Sequence, residues 1–86
     1  MRADGYSMKN AGIIPGDLLI VDRALEATSN NIIVAIVDGE FTLKRLQIVQ
    51  GRYFLIPENE EFDPIPIDED VDFVVWGVVT YVIHQL

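Results

Sequence analysis

Ile32-Ile33-Val34-Ala35-Ile36-Val37-Asp38-Gly39-Glu40-Phe41-Thr42-Leu43-Lys44-Arg45-Leu46 is the stretch that decides the fold. Ile32 to Val37 is a largely β-branched run, which predicts a buried strand. Asp38-Gly39 is a two-residue turn of the kind that favours positive φ, and it reverses the chain. Glu40 to Leu46 then returns as the hairpin partner. Strand periodicity places Phe41, Leu43 and Arg45 on one face, and Thr42, Lys44 and Leu46 on the other. A hairpin packed on both sides buries Lys44 among apolar neighbours. That is costly for an ammonium and cheap for a neutral amine.

The flanking sequence continues in the same style. Pro15-Gly16-Asp17 is a turn signal, and Leu18 to Val21 follows as a strand. Asp22 to Asn31 is polar and irregular. On the other side, Gln50-Gly51 turns the chain and Arg52 to Ile56 reads as a fourth strand. Pro57 to Asp72 is an acidic loop with three prolines. Val71 to Ile83 is the last strand region, interrupted at Trp76-Gly77. Helix signal is confined to Ser7 to Ala11, where Ser7 reads as an N-cap. The prediction is a mostly β domain, a sandwich or folded-over barrel, with one short helical turn.

Composition narrows the function classes. The 86 residues allow one domain, 1–86. Half the residues are apolar, which excludes a disordered chain. Fourteen acidic against six basic side chains give a net charge of −8, so direct DNA binding by phosphate neutralisation is not expected. Eight of the acids lie between Glu58 and Asp72. They read first as a solvated, self-repelling loop and second as a docking surface for a basic partner. Met1 to Gly5 is no signal peptide, and no apolar run approaches the roughly 18 residues of a membrane helix. A cytoplasmic location is the default expectation, with no membrane association.

Few residues offer chemistry. The absence of cysteine removes disulfides, a thiolate nucleophile and Cys-based zinc sites. The single His84 reads as a surface histidine at a strand end. No metal site, phosphate loop or cofactor is expected. Ser29 lies in a Thr-Ser-Asn-Asn loop and is accounted for by turn chemistry. Ser7 stands where a short helical turn would begin, a place where an exposed hydroxyl and backbone N–H groups aimed at one spot are expected. A neutral Lys44, its proton affinity lowered by burial, would take the proton of Ser7. Spacing alone does not single out this pair, since any domain has a Ser and a Lys.

Four ordered blocks carry a resemblance. They are Gly5-Tyr6-Ser7-Met8 with Ala11-Gly12-Ile13 and Gly16 to Asp22; Asp38 to Leu46; Leu55-Ile56-Pro57-Glu58-Asn59 with Pro64-Ile65; and Gly77-Val78-Val79-Thr80 with Val82-Ile83-His84. Together they resemble the LexA/UmuD family of self-cleaving serine–lysine peptidases across nearly the whole chain, with wording nearer the UmuD branch. The resemblance implies a signal-peptidase-like folded β-sheet. Ser7 matches the nucleophile and Lys44 the general base. The backbone around Tyr6, Ser7 and Met8 would form the oxyanion hole. It further implies a homodimer, cleavage promoted by a RecA filament, and a UmuC-type polymerase that the shortened protein joins in error-prone synthesis past DNA lesions. Two other roles stay open: the catalytic domain of a LexA-like or phage-type repressor, and a non-catalytic polymerase-binding module.

This chain departs from the family pattern in three places. Tyr6 stands where Asp or Met is common, and its ring would either narrow the cleft or cover a dimer surface. Asn30-Asn31 replaces the usual Gly-Asp, a change Asn tolerates because it adopts the left-handed conformation. No small-residue–Gly bond precedes Ser7, and Ala11-Gly12 lies after it, inside the nucleophile block. The expectation is a processed form lacking its N-terminal arm. The apolar Phe73 to Val79 run with Trp76 and Tyr81 has two equal readings, a central core strand, or a strand edge or aromatic patch for a partner.

Overall fold

The computed structural model describes residues Met1–Leu86. Six strands form one antiparallel sheet: β1 (Leu18–Asp22), β2 (Ile32–Val37), β3 (Glu40–Val49), β4 (Arg52–Ile56), β5 (Ile65–Ile67) and β6 (Phe73–Ile83). Their order is β1-β6-β2-β3-β4-β5. The mostly β expectation holds. The strands share one continuous sheet rather than the two layers of a sandwich.

The decisive hairpin closes as read. Val37 pairs with Glu40 across Asp38 (φ 48°) and Gly39 (φ 84°), both in the left-handed region that twists with the strands. A second such turn at Gln50 (φ 51°) and Gly51 (φ 76°) joins β3 to β4 through the Val49–Arg52 pair. β3 therefore runs to Val49, beyond the Leu46 expected. Asn30 takes φ 78°, the left-handed conformation anticipated for it.

Two expectations change. The stretch from Pro57 to Asp72 is not all loop, because Ile65–Ile67 pairs with β4. Pro66 cannot donate to a ladder, and β5 is the outermost strand, where that omission is tolerated. The apparent interruption at Trp76-Gly77 is a β-bulge. Val34 pairs with Gly77 and Ala35 with Val75, leaving Trp76 unpaired within a continuous β6. β6 is hydrogen-bonded on both sides, to β2 over its first half and to β1 over its second. Phe73 to Val79 is therefore a central strand and not a sheet edge, while Tyr81 beyond it is exposed.

β2 is the most deeply buried strand, with Ile33, Val34 and Ala35 all inaccessible. One core cluster gathers Ile33, Ala35, Leu46, Leu55 and Val78. A second gathers Ala3, Met8, Ile13 and Leu19. The second cluster fastens the N-terminal segment to β1. Its backbone is tied there too: Ala3 N–H donates to Asp17 O (2.8 Å), and Leu19 N–H to Met1 O (2.7 Å). The expected helical turn is a 3-10 turn at Lys9–Ala11, with Met8 and not Ser7 at its N-cap position and no side-chain cap. No helix is long and apolar enough to cross a membrane.

Candidate active site

Lys44 leaves β3 on the face it shares with Thr42 and Leu46. The register places it beside Ile33 of the core strand, and it is only 9% exposed. Its Nζ lies 2.7 Å from Thr42 Oγ1, 3.1 Å from Leu43 O and 3.3 Å from Ser7 Oγ. No carboxylate pairs with it. Burial therefore acts unopposed and pushes the Lys44 amine below its ordinary value of 10.5. The Leu43 carbonyl and the Thr42 hydroxyl take two N–H directions. The third direction faces Ser7: an N–H in the ammonium, the lone pair in the neutral amine. The neutral amine is the form able to accept the Ser7 proton, and 3.3 Å suits a resting nucleophile–base pair.

Ser7 is freed for this contact because it caps nothing. Its loop is held through backbone instead. Lys9 N–H donates to Tyr6 O (3.1 Å), and Ala11 N–H to Met8 O (3.0 Å). Met8 is buried and anchors the loop in the second core cluster. The backbone N–H groups of Ser7 and Met8 donate to no acceptor in the chain. Two unpaired donors beside a hydroxyl are available to receive an oxyanion.

A cleft of about 210 Å³ opens at the pair, walled by Ala3, Leu19, Val34, Phe41 and Leu43. Tyr6 is 60% exposed and lies outside this lining, so its ring does not narrow the cleft. Phe41 packs edge-on against Trp76 at 5.9 Å, and the Arg23 guanidinium stacks on the same indole at 3.9 Å.

Three polar residues in or near the site escaped sequence reading. Thr42 is one, although its shared face with Lys44 signalled it. Asn59, 4% exposed, donates Nδ2–H to Tyr6 O at 2.8 Å across 53 residues. Asp17, read as a turn residue, is buried at 2% exposure, accepts the Ile14 N–H at 3.0 Å and meets His84 Nδ1 at 2.6 Å. The Ile14 N–H first and the His84 ring second hold its carboxyl below the ordinary 3.8. An ionised Asp17 only accepts, so the His84 Nδ1–H donates. His84 sits at the strand end as expected, but paired rather than idle. Ser29 keeps its plain role, its Oγ accepting the Ile48 N–H at 3.0 Å.

The acidic segment is also nearer the site than its sequence position implies. Asn10 N–H donates to Glu58 O (2.7 Å) and Asn10 Nδ2–H to Glu60 Oε2 (2.8 Å). Arg45 Nε–H donates to Glu58 Oε1. The Asn10 amide foremost, then Glu60's own N–H and the Lys9 ammonium, hold the Glu60 carboxyl below its ordinary value. Glu58 and Glu60 thus brace the loop that bears Ser7, while the rest of the segment is largely solvated.

The site sits in a small antiparallel β domain and sets a buried lysine against a loop serine. The Peptidase S24-like family model matches residues 1–80. The LexA repressor of Bordetella petrii is 46% identical over 84 residues, covering 98% of this chain and 38% of the relative. Protein MucA of Salmonella typhimurium is 44% identical over 82 residues, covering 94% of this chain and 56% of the relative. The LexA repressor of Xylella fastidiosa is 42% identical over 78 residues. The chain belongs to the Peptidase S24-like family, in the group that includes LexA and MucA. It spans 38% of the Bordetella petrii relative and 56% of MucA, and the similarity is shared between them without singling out the UmuD branch.

Proposed function

We propose that residues 1–86 form one serine–lysine peptidase domain, with Ser7 as nucleophile and Lys44 as general base. The observation that carries this reading is the 3.3 Å contact between Ser7 Oγ and a buried lysine that has no counter-charge. Neutral Lys44 takes the hydroxyl proton as Ser7 Oγ attacks a peptide carbonyl. The N–H groups of Ser7 and Met8 receive the oxyanion. The resulting Lys44 ammonium gives its proton to the leaving amine, and an acyl-Ser7 ester remains. Lys44 then draws a proton from water, which hydrolyses the ester and frees a carboxylate.

In biological terms the reading is a self-cleaving protein of the SOS response of UmuD type, cleaved with a RecA filament as promoter. Its processed homodimer serves a UmuC-type polymerase in translesion synthesis. The homodimer has support on the surface: Ile20 on β1 and Tyr81 and Ile83 on the adjoining β6 are exposed apolar side chains. The second reading, the catalytic and dimerisation domain of a LexA-type repressor, is favoured by the LexA similarity over 98% of the chain. A DNA-binding domain encoded upstream of Met1 decides for the repressor.

The chemistry is tested with a peptide containing a small-residue–Gly bond, supplied in trans at alkaline pH. Cleavage is expected in the parent and absent in Ser7→Ala and Lys44→Ala. Cleavage that survives either substitution refutes the dyad.

A further inference from the structure

We propose that Asn59 is a positioning residue for the nucleophile: its side-chain amide fixes the Tyr6–Ser7 peptide group and so aims the Ser7 N–H. The inference rests on the serine–lysine reading above and deepens it.

The Tyr6 carbonyl and the Ser7 N–H belong to one planar unit, so whatever holds the oxygen also sets the direction of the hydrogen. Asn59 holds that oxygen from 2.8 Å through Nδ2. The amide has only one workable orientation. Its Oδ1 accepts the Glu61 N–H at 2.9 Å, so a flipped amide would set oxygen against the Tyr6 carbonyl and nitrogen against the Glu61 N–H. Tyr6 O also accepts the Lys9 N–H at 3.1 Å. A carbonyl that receives two hydrogen bonds polarises the N–H at the other end of its peptide. Gly5, with φ 84°, precedes this unit and lends it little stiffness, so the restraint comes from the carbonyl side.

The flanking contacts turn this bond into a clamp. Glu58 and Glu60, on either side of Asn59, grip Asn10 at the far end of the same loop. Arg45, the residue after Lys44 on β3, binds Glu58. The Asn59 segment thereby ties the loop that bears Ser7 to the strand that bears Lys44. Asn59 itself neither lines the cleft nor touches Ser7 Oγ or Lys44 Nζ. Its influence passes through the peptide plane alone.

The test uses the full chain with the same peptide in trans, comparing the parent, Ser7→Ala, Asn59→Ala and Asn59→Asp at a temperature where thermal melts show all four folded. Deleting an oxyanion donor outright costs roughly a hundred- to a thousand-fold in kcat, and a misdirected donor is expected to cost about ten-fold or more. Asn59→Ala should lower kcat by that amount with KM unchanged. Asn59→Asp should lower it further, because a carboxylate not only fails to donate but sets an anionic oxygen against Tyr6 O. An NMR readout needs no turnover: the Ser7 backbone amide resonance should shift, and its proton exchange faster, in Asn59→Ala. An unchanged kcat in the folded Asn59→Ala protein, or an unmoved Ser7 amide resonance, overturns the proposal. A parent protein that cleaves nothing, with a Ser7 amide that still responds to Asn59→Ala, refutes the peptidase reading and upholds the positional link.

Discussion

Lys44 meets Ser7 across 37 residues of sequence with no carboxylate beside it; its other contacts are the neutral oxygens of Thr42 and Leu43. An acid partner would hold the lysine charged. Apolar burial does the opposite and favours the amine that a general base must be.

The first prediction concerns pH. Unfolded, Lys44 keeps its proton up to about 10.5, whereas the folded protein releases it earlier. Peptide cleavage should rise with pH and level off below 10.5. The burial penalty on the charged form is complete below the folded value and relieved as pH climbs from there to 10.5, so stability contributed by this site rises over that window. Lys44→Met should abolish cleavage and remove that part of the pH dependence. Urea unfolding of parent and variant at several pH values measures the difference. Parallel stability profiles would contradict the burial argument.

Thr42 offers the second. Thr42→Val keeps the shape and removes the acceptor 2.7 Å from Nζ. Ammonium hydrogen bonds are the stronger ones, so the loss weighs more on the charged lysine. The cleavage midpoint should move to lower pH. The plateau rate should fall as well, because one direction of the amine is no longer fixed. The orphaned N–H should cost about 1–3 kcal/mol of stability. A pH–rate profile superimposable on the parent's would exclude Thr42 from the base's environment.

The third rests on Asp17 and His84, which join the turn before β1 to the chain just after β6. The Asp17 carboxyl is held below 3.8, so the stability it supplies is present above that value and drains away as pH falls through the lower folded value. Melting temperature should therefore drop on acidification below about pH 4, and less steeply in Asp17→Asn. His84→Ala should lower it at neutral pH while leaving cleavage intact, since neither residue contacts Ser7 or Lys44. Differential scanning calorimetry across the acid range checks both expectations.

Local rules made the scaffold legible and long-range partners made the site opaque. Asp38-Gly39 has one sharp use between apolar runs, so the β2–β3 hairpin could be read outright. The two-residue period then foretold that Lys44 would share a face with Leu46 and be buried with it. β5 was hidden because Pro66 conflicts with strand propensity, and only its place at the sheet edge resolves that conflict. The proposed nucleophile was different. Turn chemistry accounts for Ser29, but nothing local pairs Ser7 with Lys44; the two hydroxyls part decisively through contacts with Lys44 Nζ and the Ile48 N–H. Ser7 was found by family resemblance. Asn59 and Asp17 bind partners 53 and 67 residues away, and no periodicity encodes such distances.

The last prediction is steric. Gly77 has an ordinary backbone conformation, so any L-residue fits its dihedral angles. Space is what excludes a side chain. A Cβ there would lie 2.4 Å from Val21 Cγ1, 3.2 Å from Asp22 O and 3.3 Å from Arg23 Cδ. Gly77 adjoins the bulged Trp76 on β6. Gly77→Ala should destabilise by about 1–3 kcal/mol, the usual range for an overpacked site. Val21→Ala removes the nearest atom of the clash. The double variant should consequently lose less than the sum of the two single variants, with a coupling on the order of 0.5–3 kcal/mol. Strict additivity in denaturant unfolding would mean that Val21 is not what Gly77 accommodates.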